Sequence, residues 1–519
     1  MSRDQGLRLI HNGSHNHRSM TDKNKPNFPV ESADARWIWV LVIGLAVLLC
    51  FRLLALAANG TDLFFDEAQY WSWGQDPAFG YYSKPPLIGW IIGAAGASCG
   101  NGEFCVRLPS PLIHTATAIA VFFLGRQLYD TRTGALSGLA FATLPGVSLS
   151  AGLISTDVPL LLCWAIALVG FAALFKTRSI WPALVLGLAF GIGLNAKYAM
   201  AWFLLCLSVL LVMLPERRTV LKDYRLYVGL GLGLLLILPN LVWNYTNSFA
   251  TFSHTADNAK WTGSLLRPVK AMEFFVAQFG VFGPILFGSL LVILWRAWKR
   301  RLPEPDQMLL AFSVPIIAVI TVQALISRAH ANWAATAYVA ATVLVVATMI
   351  RDGAWTWLKG SFVLNVAAMV LIAAGTLTAG RINLPFKQDP FARILGWRAV
   401  AQATQAELAK AKAQGRPFAA VITNDRAVTA ELLYYMRDEA TPVLAWRRGA
   451  RSPRDHFELT RPLTPDTTGP VLLVVLGKSK APGRSAFATA EKIGERQLPA
   501  GNNAHRRVTF YALSGYKGR

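Results

Sequence analysis

The run "RWIWVLVIGLAVLLCFRLLALAA" (Arg36–Ala58) gives way almost at once to "DLFFDEAQYWSWGQDPAFGYYSKPPLIGW" (Asp62–Trp90). A helix needs about 20 apolar residues to cross roughly 30 Å of hydrocarbon, and the first run meets that length. Arg52 is the exception, placed late in the run, where its stem lets it snorkel outward. The second stretch puts two adjacent carboxylates, a cluster of rings and a Lys-Pro-Pro step at the point where the chain leaves the bilayer. A membrane-spanning chain with its chemistry in the first exit loop follows from these two pieces.

Further apolar runs extend the pattern. With 36–58 they are 108–128, 134–152, 157–175, 180–195, 199–214, 226–243, 271–296, 309–327, 333–350 and 361–379, about eleven candidate crossings in all. "NAKYA" (195–199) separates two of them, because a lone Lys197 in lipid is expensive and calls for a turn or a polar cavity. The chain is 54% hydrophobic and 15% charged, against about 25% charged in soluble proteins. A net charge of +22 is read as cationic loops that set topology and touch anionic headgroups, not as a nucleic-acid surface. Residues 1–35 are polar and basic and are expected to be a disordered cytoplasmic tail ahead of a retained first span.

Basic residues fix the expected orientation. With the N-terminus in the cytoplasm, the inner loops carry "YDTRTG" (129–134), "KTRS" (176–179), "PERRTVLKDYR" (215–225), "RAWKRRLPEPDQ" (296–307) and "RDGAWTWLKG" (351–360), all basic. The opposite loops carry "STDVP" (155–159), "NAKYA" and "SRAHANW" (327–333), with at most one Lys or Arg each. The fold class expected is an all-α polytopic membrane domain over 36–379, with a first periplasmic loop at 59–107, in the bacterial inner membrane. Beyond 380 the pattern changes. "WRAVAQATQAELAKAKAQG" (397–415) and "AVTAELLYYMR" (427–437) read as helices, and "FAAVITN" (418–424) and "VLLVVLG" (471–477) as buried strands. A small α/β periplasmic domain over 380–519 follows. Cys99 and Cys105 flank "GNGEF" in the exit loop, where a disulfide is permitted by compartment but not required by spacing; Cys50, Cys163 and Cys206 fall in apolar runs as packing residues.

Asp66 and Glu67, as neighbours, point in different directions, so one faces a substrate and the other makes a structural contact. Phe64, Phe65, Tyr70, Trp71 and Trp73 wall off water, which raises the basicity of a carboxylate among them. Such a group can accept a proton from an attacking hydroxyl. Lys84 either snorkels to headgroups or holds a phosphate as a compact cation. Pro85 and Pro86 suit the start of an interfacial helix. Asp157 either caps the next helix or contacts the site. Arg107 either binds a headgroup phosphate or marks the membrane edge. His330, Asn332 and Trp333 line a sugar pocket or anchor at the interface; His254 reads as an exposed loop histidine and Tyr82 as interface packing. No compact His/Asp cluster suggests a metal, and no cofactor is called for.

The words "FFDEAQYWSW…GYYSKPPLIGW" and "VRLPS" (106–110), with "STDVPLLL", "GLNAKYA", "PNLVWNYTNSFATFSH" and "RAHANWAATAY" downstream, resemble the polyprenyl-phosphate-sugar-dependent membrane glycosyltransferases of the GT-C type, the family of protein O-mannosyltransferases and lipid A aminoarabinose transferases. The likeness covers most of the membrane part and implies transfer of a sugar from a lipid-linked phosphate to an acceptor, in lipid or in protein, on the outer side. It makes Asp66 the base of an inverting displacement. Lys84, Lys197 and Arg328 then serve the departing phosphate, and Glu67, Tyr82, Arg107, Asp157, Tyr198, His330 and Asn332 complete the substrate site. Two positions depart from the aminoarabinose pattern: Gln69 stands where an arginine is usual after "DEA", and Ser83 where a glutamate precedes Lys-Pro-Pro. The donor sugar is therefore not aminoarabinose; a uronic acid suits the cationic loops, and a neutral hexose is compatible with them. A transporter or flippase of a lipid-linked sugar is the competing reading, but it needs ionisable residues at mid-bilayer, and here they crowd the outer loops.

Overall fold

The structure is a computed structural model that describes residues 30–259, 266–382, 389–447, 452–477 and 486–518; most of the N-terminal tail lies outside that range. Helix covers each of the eleven expected segments. Six helices are long and apolar enough for a full crossing: Asp34–Ala57, Glu103–Leu128, Asp157–Leu174, Tyr224–Thr246, Glu304–Ile326 and Trp355–Thr378. Leu87–Cys99, Trp181–Ala196, Tyr198–Met213 and Ala337–Arg351 are shorter apolar helices.

Three expected single runs are broken, each with a proline in the first turn of the second helix; 309–327 breaks only locally, between Glu304–Ala311 and Val314–Ile326. The run 134–152 is two helices, Thr131–Thr143 and Pro145–Ser150. The run 271–296 is Pro268–Phe282 followed by Pro284–Lys299, bent by 116° at Gly283. Proline has no N–H to continue a helix and is at home in a first turn. Gly283 adds a backbone φ of +89°, open to glycine and strained for other residues. Apolarity alone does not register a corner that costs no polar residue.

The loops sort to two faces. Those rich in Lys and Arg interlock on one: Tyr129 donates to Asp306 at 2.6 Å, Arg351 pairs with the same Asp306 at 2.6 Å, Arg301 with Glu216 at 2.8 Å, and Arg296 with Asp352. Arg225 donates to the carbonyl oxygens of Thr177 and Ser179. The loops poor in basic residues meet on the opposite face, where Asp157, Lys197 and Asn332 join.

The C-terminal part is a small α/β domain. Its five strands are β1 (Ala420–Thr423), β2 (Val443–Ala445), β3 (Val471–Leu476), β4 (Phe487–Pro499) and β5 (His505–Tyr516), in the order β2-β1-β3-β5-β4. β1 runs parallel to β2 and β3; β3–β5 and β5–β4 are antiparallel. β1 and β3 are buried throughout most of their length, as continuous apolar runs in a parallel core require. The β4–β5 hairpin has no counterpart in the apolar pattern of the sequence: β4 is largely exposed, and its charged sequence carries little apolar signal.

This domain sits on the exit loop. Ala430, Tyr434, Ala445 and Phe457 share one core cluster with Leu63, Trp71, Trp73 and Tyr81. The seam is also hydrogen-bonded. Leu63 N donates to the Tyr435 hydroxyl at 2.9 Å, Tyr434 donates to the Asn101 carbonyl at 2.8 Å, Trp397 N to Asp62 at 2.8 Å, and Tyr82 to the Pro453 carbonyl at 2.9 Å. Cys99 and Cys105 form a disulfide, with Cα atoms 5.6 Å apart.

Candidate active site

A cavity of about 1340 Å³ lies where exit loop, spans and C-terminal domain meet. Its inner wall is apolar, with Phe51 and Leu56 of the first helix, Leu205, Ile320 and Met369. Its outer wall carries Asp66, Lys84, Asp157, Lys197 and a group of arginines. A greasy chain and an anionic head therefore find matching surfaces in one space.

The two neighbouring carboxylates part company. Glu67 is buried, 1% exposed, and saturated. It pairs with buried Arg107 at 2.7 Å and accepts from the backbone N–H groups of Phe64 and Ile154, each at 2.9 Å. Arg107 also reaches the carbonyls of Thr61 and Asp62. The pair ties the start of the helix Phe65–Gln75 to the segment before Asp157, and both residues border the cavity as structural posts. Asp66 faces the cavity, its side chain 37% exposed. Its Oδ1 accepts from Arg426 Nη1 at 2.8 Å; Oδ2 has no hydrogen-bond partner among the described residues.

Lys84 ends a tight turn in which Tyr81 N donates to the Lys84 carbonyl at 3.1 Å, and Pro86 stands just before the helix Leu87–Cys99. Its ammonium forms no ion pair among the described residues. Burial, with repulsion from Lys197 behind it, pushes Lys84 down to about 8. Asp157 opens the helix Asp157–Leu174 but caps nothing. Its two oxygens instead hold Lys197 Nζ at 2.6 Å and Asn332 Nδ2 at 2.6 Å, fastening three loops together. Tyr198 donates to Asn240 at 2.7 Å and stacks on Phe252. Tyr82, His254, Arg328 and His330 also line the cavity. His330 packs edge-on against Trp333, and burial, together with the charge of Arg328 and Arg393, lowers its basicity. Arg52 does not snorkel outward; it is 5% exposed, bonds to the Ala142 carbonyl and borders the cavity. No group of three or more His, Cys, Asp or Glu among the described residues is placed to hold a metal.

The C-terminal domain supplies lining residues that reading the exit loop alone did not find: Arg393, Arg426, Arg454, Asp455 and His456. One signal was present. Arg426 follows the strand "FAAVITN" and opens the next helix, at the carboxyl end of parallel β1, where open α/β sheets place their binding groups.

This geometry has relatives. A family profile described as dolichyl-phosphate-mannose-protein mannosyltransferase matches residues 83–243. The crystal structure of ArnT from Cupriavidus metallidurans in the apo state superposes with a TM-score of 0.60 at 17% identity, covering 92% of this chain and 98% of that one. The same protein bound to undecaprenyl phosphate gives 0.60 at 15% identity, covering 91% and 98%. The fold is thus that of the GT-C membrane glycosyltransferases. The lipid A galacturonosyltransferase RgtD of Rhizobium johnstonii is 34% identical over 478 residues, 91% of this chain and 98% of its own length. The chain belongs to the family of that membrane glycosyltransferase, and it is an enzyme that transfers a sugar.

Proposed function

We propose that the protein transfers a uronic acid from a polyprenyl phosphate to a hydroxyl of lipid A or a related envelope lipid, with inversion at the anomeric carbon. The acceptor hydroxyl gives its proton to Asp66 Oδ2 as its oxygen attacks C1. The bond between C1 and the phosphate oxygen breaks, its electron pair stays with the phosphate, and polyprenyl phosphate leaves. Phosphate is a stable leaving anion, so the demand is for a base and for cations rather than for a strong acid. Lys84 meets the phosphate directly, with Lys197 and Arg328 on the same wall; Tyr82, Tyr198, His330 and Asn332 bound the sugar; Glu67, Arg107 and Asp157 hold the loops that carry these groups.

One observation carries this reading: the Asp66 oxygen and the Lys84 ammonium that are unpaired among the described residues line the same cavity, whose far wall is apolar and built by spans. The donor and acceptor classes are supported by the Rhizobium relative, a lipid A galacturonosyltransferase, and by the fold shared with a protein that has been solved with undecaprenyl phosphate. A flippase has less support, because its polar groups belong at mid-bilayer and these line the outer end. We assign the enzyme to the bacterial inner membrane, with the interlocked basic loops in the cytoplasm and the cavity in the periplasm. The charge rule and the Cys99–Cys105 disulfide support that side. The same assignment makes 36–379 the membrane unit and 380–519 a periplasmic domain.

The test is Asp66→Asn in a strain lacking the chromosomal copy. Positioned proton transfer is worth about 10²–10⁴-fold in rate. The uronic acid should vanish from lipid extracts by mass spectrometry while the variant accumulates in the membrane at the normal level. Full restoration of the sugar by Asp66→Asn would remove Asp66 as base. An unchanged lipid profile on deletion of the wild-type gene would remove lipid as the acceptor.

A further inference from the structure

We infer that Arg426, delivered by the C-terminal domain, is the residue that selects an anionic sugar, by taking the sugar carboxylate on the open edge of its guanidinium; the inference rests on the transferase reading above. Arg426 stands at the first turn of the helix Arg426–Tyr435. Asp425 caps that helix by accepting from Ala427 N and Val428 N, so the arginine's origin is fixed. Its guanidinium lies over the Phe65 ring, the central carbon 5.0 Å from the centroid, a cation–π contact that helps to hold it.

A single nitrogen does all the local bonding. Nη1 donates to Asp66 Oδ1 at 2.8 Å and to Gln69 Oε1 at 2.6 Å. Nε and Nη2, the paired donors that match a carboxylate in parallel, have no hydrogen-bond partner among the described residues. The side chain lines the cavity and is 35% exposed.

The surroundings favour a carboxylate there. Gln69 and Ser83, the two positions that depart from the aminoarabinose pattern, touch at 3.5 Å beside Arg426, and both are neutral. Asp455 is an acidic neighbour on the same wall, but its Oδ1 accepts from Phe457 N and Glu458 N as a helix cap. Asp66 engages only Nη1, so the Nε–Nη2 edge, at the height of the carboxylate proposed as base, describes a seat for a second negative group of the donor. Lys84 is reserved for the phosphate. Because Nη1 stays on Asp66, one guanidinium would set the distance between the sugar carboxylate and the base, so recognition and alignment are the same act.

The experiment uses the full-length enzyme in lipid nanodiscs with three probes. They are a polyprenyl phosphate bearing a hexuronic acid, the same lipid bearing the hexose with CH₂OH in place of the carboxyl, and the sugar-free polyprenyl phosphate. For Arg426→Gln, kcat/KM with the uronate donor should fall about 100-fold relative to the hexose donor, chiefly through KM, as loss of a charged hydrogen-bond pair implies. Arg426→Lys, which keeps the charge without the fork, should recover only part of that preference. Binding of the sugar-free lipid should stay within about twofold of wild type, which certifies a folded site because Arg426 contributes nothing to the phosphate. An unchanged uronate-to-hexose ratio in Arg426→Gln overturns the inference and leaves the transferase standing. Wild type turning over neither donor overturns both.

Discussion

At the scale of single residues the site divides by whether a charge is satisfied. Glu67 and Arg107 consume each other's charge and serve architecture. Among the described residues Asp66 Oδ2 and the Lys84 ammonium are unpaired, and these are the groups we propose for the chemistry. Lys84 yields a pH prediction. Burial lowers it to about 8, so the grip on a phosphate proposed for it should be present at pH 7 and be lost as pH rises through 8. The KM for donor should therefore climb between pH 7.5 and 9 while kcat changes less. Lys84→Arg, whose guanidinium stays charged throughout, should flatten that climb even if it binds less well. A donor KM that rises equally in wild type and Lys84→Arg would assign the titration elsewhere. That Asp66 and Lys84 border one cavity was legible because carboxylate, lysine and rings lie close together in one loop of the sequence, where local spacing still speaks. Arg426 was not, since it meets Asp66 from 360 positions away. Its place is decided by domain docking, which no local pattern encodes.

At the scale of elements, the helix Trp181–Ala196 is pressed against Tyr224–Thr246 along a seam of glycines. A Cβ on Gly187 would lie 2.3 Å from the Gly229 carbonyl oxygen, and one on Gly191 would lie 2.8 Å from the Gly233 oxygen. The obstacles are backbone, so the helices themselves must separate. Small residues that let backbones approach are the usual device for helix packing in lipid, where water offers no drive for association. The seam also positions the cavity wall: it fixes Asn195, which donates to the Leu236 carbonyl at 3.0 Å, just before Lys197, and it lines up Tyr198 with Asn240. Gly187→Leu should thus lower the melting temperature in detergent and weaken donor binding, although residue 187 is remote from the cavity lining. Gly231→Ala, on the same seam-bearing helix with nothing within 4 Å, should do neither. Fluorescence melting of the two variants side by side checks this. The composition betrayed the spans, but which glycines face each other, and where Gly283 turns a corner, depend on pairing between elements and stayed hidden.

At the scale of the whole molecule, the helix Arg426–Tyr435 is the joint between two folding units, and it contains an unusual buried group. Glu431 is 1% exposed, and neither of its carboxylate oxygens has a hydrogen-bond partner among the described residues. Burial, with Asp62 close by, drives its pKa well above the ordinary carboxylate value, so the folded protein keeps it protonated where an unfolded chain would ionise it. The sign follows by linkage. The folded state binds the extra proton, so the stabilisation is complete below the unfolded pKa, near 4.5, and is lost progressively as pH rises toward the raised folded value. Glutamine mimics the neutral acid and has no proton to lose. Glu431→Gln should melt close to wild type at pH 5 and above it at pH 8, by roughly 2–4 °C for each kcal/mol gained. Because the same helix carries Arg426 to Asp66, the wild type should also lose activity faster than Glu431→Gln on prolonged incubation at high pH. A melting difference that stays constant from pH 5 to pH 8 would mean that Glu431 is ionised and paired in solution.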